Sequence, residues 1–399
     1  MISRALGLAV LCAGVTSASA QSLPAEPVTF ADGRVVVGGE ISATMAPEDT
    51  GFFNYSDYEH STLREFRAGA SLMVRATDRI SVLGEIRSEN LESPAAYALY
   101  ARIRPLARYR LDVQIGRIPP TFGSFSRLVY GKDNPLIGYP LAYQYLTSLR
   151  ADALPANVDE LLRMRGRGWL STYSIGNTTA ARGVPLTSSL TWDTGVQVTS
   201  GWRAIDVTAS VTNGTPSHPL VADDNNGKQV AMRVTGRLSP AFVLGTSFAR
   251  GSFVGRGALA AAGLADTGDY TQQAVGVDAS YQAGHLVVRG EAIGTAWHLP
   301  LTGSASILDL QAGALSVETK YSFLPGAYAA ARVERLTFNR VIGSRRTTTW
   351  DAPVDRVEVG GGYYLQRNLI ARVSLQFNQR DGGRVTASRL AAAQLLFWF

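Results

Sequence analysis

The sequence predicts a transmembrane antiparallel β-barrel of about sixteen strands, with a long third connection folded into its lumen. Three observations predict it: an export signal with no membrane-length apolar stretch after it, a succession of period-2 segments, and joints that alternate between tight turns and longer loops. Lipid offers no partners for backbone N–H and C=O groups. A chain that crosses a membrane without apolar helices must therefore satisfy those groups between strands of a closed barrel.

Residues 1–20 hold Arg4, an apolar run from Ala5 to Val15, and Ala18-Ser19-Ala20 before Gln21. This reads as a signal peptide with an A-x-A cleavage site, which leaves residues 21–399 to form the barrel. Cys12 is the only cysteine and lies in that signal, so residues 21–399 contain neither a disulfide framework nor a Cys-based metal site. No zinc pattern or phosphate-cradling loop stands out, and no cofactor is predicted. The net charge of +6 would suit a nucleic-acid partner in the cytosol; export removes that reading.

In chain order, strands are predicted at 33–45, 65–76, 79–90, 96–104, 109–117, 187–199, 202–213, 228–238, 241–252, 270–282, 285–297, 312–324, 327–338, 353–365, 368–380 and 388–399. In the third, Ile80, Val82 and Ile86 oppose Ser81, Glu85, Arg87 and Glu89. In the twelfth, Leu315, Val317, Tyr321 and Phe323 oppose Ser316, Glu318, Lys320 and Ser322. In the fifteenth, Leu369, Ala371, Val373, Leu375 and Phe377 oppose Arg372, Ser374, Gln376, Asn378 and Arg380. A soluble sandwich would show the same alternation, so the joints decide. Thr77-Asp78, Pro105 to Arg108, Ser200-Gly201, Ser239-Pro240, Ala283-Gly284, Pro325-Gly326 and Gln366 to Asn368 are tight turns. Between them fall longer loops at 46–64, 91–95, 118–186, 214–227, 254–269, 298–311, 339–352 and 381–387. Turns on one rim and loops on the other is the parity of a membrane barrel, which a Greek-key sandwich has no reason to keep. An eighteen-strand count stays open if 168–176 and part of 141–149 pair with the wall.

The last strand sets Ala391, Ala393, Leu395, Phe397 and Phe399 on one face and stops at the aromatic. This ending resembles the C-terminal signature of bacterial outer-membrane barrels, which their assembly machinery reads. The resemblance implies an outer membrane with its lipids and lipopolysaccharide as surroundings. A barrel of this size encloses water rather than a packed interior.

The third loop, 118–186, is several times longer than its neighbours and carries Phe122, Phe125, Tyr130, Tyr139, Tyr143, Tyr145, Trp169 and Tyr173. Disordered segments are poor in aromatics, so an ordered loop inside the barrel mouth is expected. Together with the signal, strand count, loop parity and terminal Phe, it resembles bacterial general and substrate-selective porins, whose third loop narrows the pore. The stretch Gly116-Arg117-Ile118-Pro119-Pro120-Thr121-Phe122-Gly123 is similar to a G-x-x-x-x-P-F-G-type turn of phosphate-selective porins, with Thr121 where that motif has Pro and no multi-lysine cluster beside it. The resemblance implies a homotrimer.

The chain has 35 Arg and 3 Lys, Lys132, Lys228 and Lys320. Arginine holds its charge and offers a planar fork for carboxylate and phosphate oxygens. If extended, Arg163, Arg165 and Arg167 would form an anion ladder at the constriction, with Arg127, Lys132 and Arg150 adding to the loop's charge. Asn157 to Leu162 before it reads as one helical turn capped by Asn157, with Asp159 and Glu160 in its first turn. On the wall, Arg87, Arg102, Arg104, Arg372, Arg380, Glu318 and Glu358 line the lumen, part of a mixed set with modest basic excess. The expected function is passive diffusion of small hydrophilic solutes with a mild anion preference.

The alternatives are a lipase- or protease-type barrel, or an adhesin acting through its loops. His60, His218, His285 and His298 are the only histidines. His60-Ser61, Ser217-His218 and Asp223-Asp224 are adjacent in sequence, which establishes no catalytic geometry.

Overall fold

The computed structural model describes residues 27–399 except 57–58, 107–109, 189–190 and 304–305, and the Arg127 side chain also falls outside the description. The predicted signal peptide and part of the Pro105–Arg108 turn therefore lie outside the described residues. Sixteen strands form the wall: β1 Val35–Met45, β2 Phe66–Arg75, β3 Ile80–Glu89, β4 Ala95–Ile103, β5 Arg110–Ile118, β6 Asp193–Trp202, β7 Ile205–Thr212 and β8 Gln229–Arg237. They continue as β9 Phe242–Ser252, β10 Thr271–Ala283, β11 Leu286–Leu301, β12 Ser306–Leu324, β13 Ala327–Phe338, β14 Val354–Gln366, β15 Leu369–Arg380 and β16 Ala387–Trp398. Each pairs antiparallel with its sequence neighbour, and β16 returns to β1, from Glu40↔Trp398 to Met45↔Ala393. The sheet is closed, and among the described residues no helix is long and apolar enough to cross a membrane.

Alternation assigns the two faces. Leu315, Val317, Tyr321 and Phe323 on β12 point outward and are exposed, while Glu318 and, across the sheet, Arg332, Arg356, Glu358 and Arg372 point inward and are buried. Trp202, Tyr281, Tyr321, Phe323 and Tyr363 project outward where strands meet tight turns. Such a ring of amphipathic aromatics suits a headgroup boundary. Trp398 faces inward, edge-on to Tyr364 at 6.3 Å, and Phe399 stacks on Phe397 at 6.0 Å. Phe399 also exchanges backbone hydrogen bonds with Gly39 (2.9 and 3.0 Å), which extends the closing pair to the last residue.

Three expectations shift. The turn between β6 and β7 is Arg203-Ala204, not Ser200-Gly201. Arg203 takes the positive φ (+53°), while Gly201 stays in the ladder opposite Asp206. β6 begins at Asp193 instead of 187, because the preceding residues belong to the third connection, with Trp192 packed on Tyr97. The 298–311 loop is mostly wall: β11 and β12 pair from Leu286↔Tyr321 to Leu301↔Ser306. The eighteen-strand alternative also falls away, since Ile175–Gly176 pairs with Ala153–Leu154 inside the third connection and not with the wall.

Candidate functional site

The chain leaves β5 and turns inward at the Gly116–Gly123 stretch. Gly116 and Gly123 adopt positive φ (+128° and +81°), and the hydroxyl of Tyr143 fills the place a Cβ on Gly123 would need. Thr121 donates its hydroxyl to Ser210 Oγ (2.8 Å) and accepts from Gln197 Nε2 (2.7 Å). A proline there could do neither. Phe122 is buried with Phe125, Tyr139 and Tyr143 against inward-facing Ala231, Ala249, Ala274 and Ile293.

From this pivot the loop crosses the lumen, and wall charges grip its backbone. Glu291 accepts the Ser124 N–H (2.6 Å), Glu40 that of Gly131 (3.1 Å), Glu358 that of Gly138 (3.0 Å) and Glu334 that of Leu141 (2.7 Å). Arginines supply the complementary donors. Arg332 donates to Gly138 O (2.6 Å) and Arg356 to Tyr139 O (3.2 Å) in the loop; Arg356 also reaches Phe53 O (2.9 Å) in the first connection, and Arg380 holds Gly51 O (3.1 Å) there and Val385 O (2.8 Å) in the last. Arg332 is fully buried between Glu358 (2.8 Å), Glu318 (3.2 Å) and Glu334 (3.2 Å). A loop without ladder partners must place its peptide groups somewhere, and buried charges must be compensated. Here each need meets the other. In the seventh long connection, the last but one, Asp351 is buried and accepts from Ser148 N (2.6 Å), Gly166 N (2.7 Å) and Ala352 N (2.7 Å). Burial raises its carboxyl above the usual range, and the three N–H donors pull against that rise.

Beyond Leu141 the loop builds an apolar core at the loop rim. Tyr145, Leu149, Leu154, Leu161 and Leu162 pack on inward-facing Trp297, Leu310, Leu336 and Val354 and on Trp350. Trp297 and Trp350 are 0% exposed and meet edge-to-face at 5.8 Å. The Asn157 cap is present, its side chain accepting from Glu160 N (3.0 Å) at the start of the helix Val158–Arg163.

The arginine ladder is not formed. Arg163 closes that helix and Gly166 turns at φ +70°, so the three side chains diverge. Arg163 is exposed and pairs with Glu160 (3.4 Å), and Arg167 is exposed. Arg165 is half-buried and reaches Asp381 (3.0 Å) and Thr349, which ties the loop to two other connections. Arg150 is buried in a two-pronged pair with Asp152 (2.9 and 2.8 Å) and donates to Ser171 O and Thr179 O. Its charge is consumed in holding the loop together. Arg127 ends the short turn Phe125–Arg127. Arg372 is buried and donates to Gln394 (3.3 Å).

Lys132 is exposed, and it borders open space. Between loop residues 130–133 and β1–β4 lies a cavity of about 430 Å³. Its charged rim comprises Glu40, Arg67, Glu85, Arg87, Lys132 and Asp133, three of each sign, with Tyr100, Tyr130 and Trp192 as aromatic wall. Arg87 pairs with Glu85 (2.5 Å) and lies over the rings of Tyr97 (3.3 Å) and Tyr130 (5.0 Å). Arg67 pairs with Glu65 (2.6 Å). Burial raises Glu65, just before β2, to about 7 although Arg67 opposes the shift. Toward the turn rim, inward-facing Arg75, Arg104, Arg110 and Arg237 are exposed, and Arg104 and Arg110 contact Asp112 and Asp206 respectively. Arg102 and Arg104 share Asp112, the latter at 3.3 Å. Alternation indicated these arginines; their separation from the loop's own basic residues was not readable from the sequence.

The histidines lie apart. His60 contacts Glu92 (2.8 Å), His298 contacts Asp309 (3.5 Å), and His218 is buried, which lowers its pKa. Among the described residues, no group of three or more His, Cys, Asp or Glu side chains could hold a metal ion.

A closed sixteen-stranded antiparallel barrel whose long third connection enters its lumen has the fold of the bacterial outer-membrane porins. No protein-family model matches the chain, and no curated protein matches it. Among solved structures, Salmonella typhi OmpF in complex with daunomycin superposes with a TM-score of 0.56 at 11% identity, over 92% of this chain and 97% of that one. The anion-selective porin from Comamonas acidovorans gives 0.54 at 8% identity (92% and 99%), and the outer membrane channel DcaP of Acinetobacter baumannii gives 0.54 at 12% (93% and 99%).

Proposed function

We propose that the protein is an outer-membrane porin, a narrow passive channel for small hydrophilic solutes. The observation that carries this reading is the cavity of about 430 Å³ beside loop residues 130–133, while across the lumen Glu291, Glu334, Glu358, Arg332 and Arg356 are committed to the loop. A charge-lined, loop-narrowed opening sorts solutes by size and charge without chemistry. The six charges around the cavity balance, so a mild anion preference rests on the exposed arginines of the turn rim, Arg75, Arg104, Arg110 and Arg237, and not on the loop arginines. The signal at 1–20 and the terminal aromatic strand fit export and assembly into the outer membrane, with turns toward the periplasm and loops toward lipopolysaccharide. A threefold assembly follows the neighbours, one of which is OmpT of Vibrio cholerae in a trimer form.

The test is the reversal potential of the purified barrel in planar bilayers under a salt gradient. Modest anion selectivity is expected. It should move toward neutrality in R104A/R110A/R237A and persist in R163A/R167A. Cation selectivity in the wild type, or selectivity lost only with the loop arginines, would overturn this reading.

A further inference from the structure

The outer wall of β13–β16 carries a groove at its loop end. Arg335, Asp355, Gln379 and Ala387 form one outward register row, and Val333, Val357, Phe377 and Arg389 the next. The groove, about 460 Å³, is lined by Asp355, Val357, Phe377, Gln379, Ala387 and Arg389. Val357 and Phe377 give it an apolar floor continuous with the lipid-facing band. Arg389 is exposed, with its guanidinium 6.0 Å from the Phe377 ring centre. Arg335 is exposed, with Asp355 at 3.7 Å. The adjoining connections add exposed Arg340, Arg345, Arg346 and Arg384, whereas nearby Asp381 is engaged by Arg165. A cation on a membrane-facing wall is costly unless it reaches water or an anion, and an apolar floor beneath it selects an amphiphile.

We propose that this groove binds a phosphorylated lipid of the outer leaflet, with a phosphate on Arg389 and an acyl chain along Val357 and Phe377. Arg335 and Arg389 stand three strand spacings of about 4.8 Å apart across the sheet, a span suited to a headgroup bearing two phosphates. The proposal rests on the orientation given under the proposed function. The test is native mass spectrometry of the full barrel released from detergent with bisphosphorylated lipid A or its dephosphorylated form, each variant first checked for heat-modifiable mobility. Wild type should retain the bisphosphorylated lipid at least tenfold better. R335A/R389A should lose that preference, and F377A should weaken retention of both forms. Equal retention of the two lipids by wild type would overturn the proposal, as would an unchanged preference in R335A/R389A. So would conversion of an oligomer to monomers by that variant, which would make the face a contact between copies. Conductance is read separately: a barrel that binds the lipid but passes no current overturns the channel reading alone.

Discussion

Replacing Arg332 with Met removes the one cation that Glu318, Glu334 and Glu358 share, in a place without solvent. Each carboxylate keeps one other contact, Arg289 for Glu318 (3.3 Å), Leu141 N–H for Glu334 (2.7 Å) and Gly138 N–H for Glu358 (3.0 Å). Those contacts do not cancel three buried negative charges. Breaking a buried ion pair by deleting one partner costs about 3–5 kcal/mol. At about 1.4 kcal/mol per decade this multiplies the undocked-to-docked ratio of the loop by roughly a hundred to several thousand. The same groups hold the loop through Gly138 and Leu141, so the loss falls on loop docking and leaves the strand ladders intact. The assay is limited proteolysis of the folded barrel together with single-channel conductance. R332M should be cleaved within 119–192 and conduct more, with larger fluctuations. R332M/E334Q/E358Q, which removes the excess charge while keeping hydrogen-bonding groups, should recover much of the protection. Wild-type resistance and conductance in R332M would refute the reasoning.

Other consequences concern the pivot, the apolar core and pH. G123A forces a side chain into a left-handed backbone already occupied by the Tyr143 hydroxyl. It should cost about 1–3 kcal/mol and appear as faster cleavage of the loop. W350A empties a fully buried site between Trp297 and Phe338 and should cost about 3–5 kcal/mol, read as a lower temperature for loss of the compact electrophoretic form. Glu65, raised to about 7, binds its proton more tightly in the folded barrel than in the unfolded chain. Its contribution to stability is therefore complete below the ordinary carboxyl range and fades as pH rises through about 7. In the channel, protonation leaves Arg67 less compensated, with Glu89 (3.6 Å) its remaining carboxylate and Arg87 nearby. Anion permeability should rise between pH 8 and pH 6, and E65Q should remove that step while H60Q keeps it.

The wall was legible in the sequence because lipid and lumen impose a strict alternation and the joints alternate in length. β13, β14 and β15 fall within a residue of where alternation puts them. The turn at Arg203-Ala204 was not, because glycine in a ladder and glycine in a turn look alike until cross-strand register is known. The loop's place in the lumen could be anticipated from its aromatics, but its attachment could not. Glu291, Glu334 and Glu358 read as lumen charges; that they accept loop N–H groups depends on contacts across more than a hundred residues. One signal was available. Trp297, Leu310, Leu336 and Val354 put apolar side chains on the inward face at the loop ends of β11–β14, where a water-filled lumen would want polar ones. The arginine ladder failed for a local reason: the helix capped by Asn157 runs through Arg163, and Gly166 then reverses the chain, so period-2 reasoning did not apply.

The central claim is that ions pass beside β1–β4 while the loop seals the side of β11–β15. It is tested most directly by single-cysteine block, since Cys12 is the chain's only cysteine. S71C and K132C, at exposed positions on the cavity, should react with a bulky charged thiol reagent and lose most of their current. A330C and S374C, buried beneath the loop at 6% and 2% exposure, should remain unmodified at full current. Block at A330C or S374C with none at S71C or K132C would contradict the account.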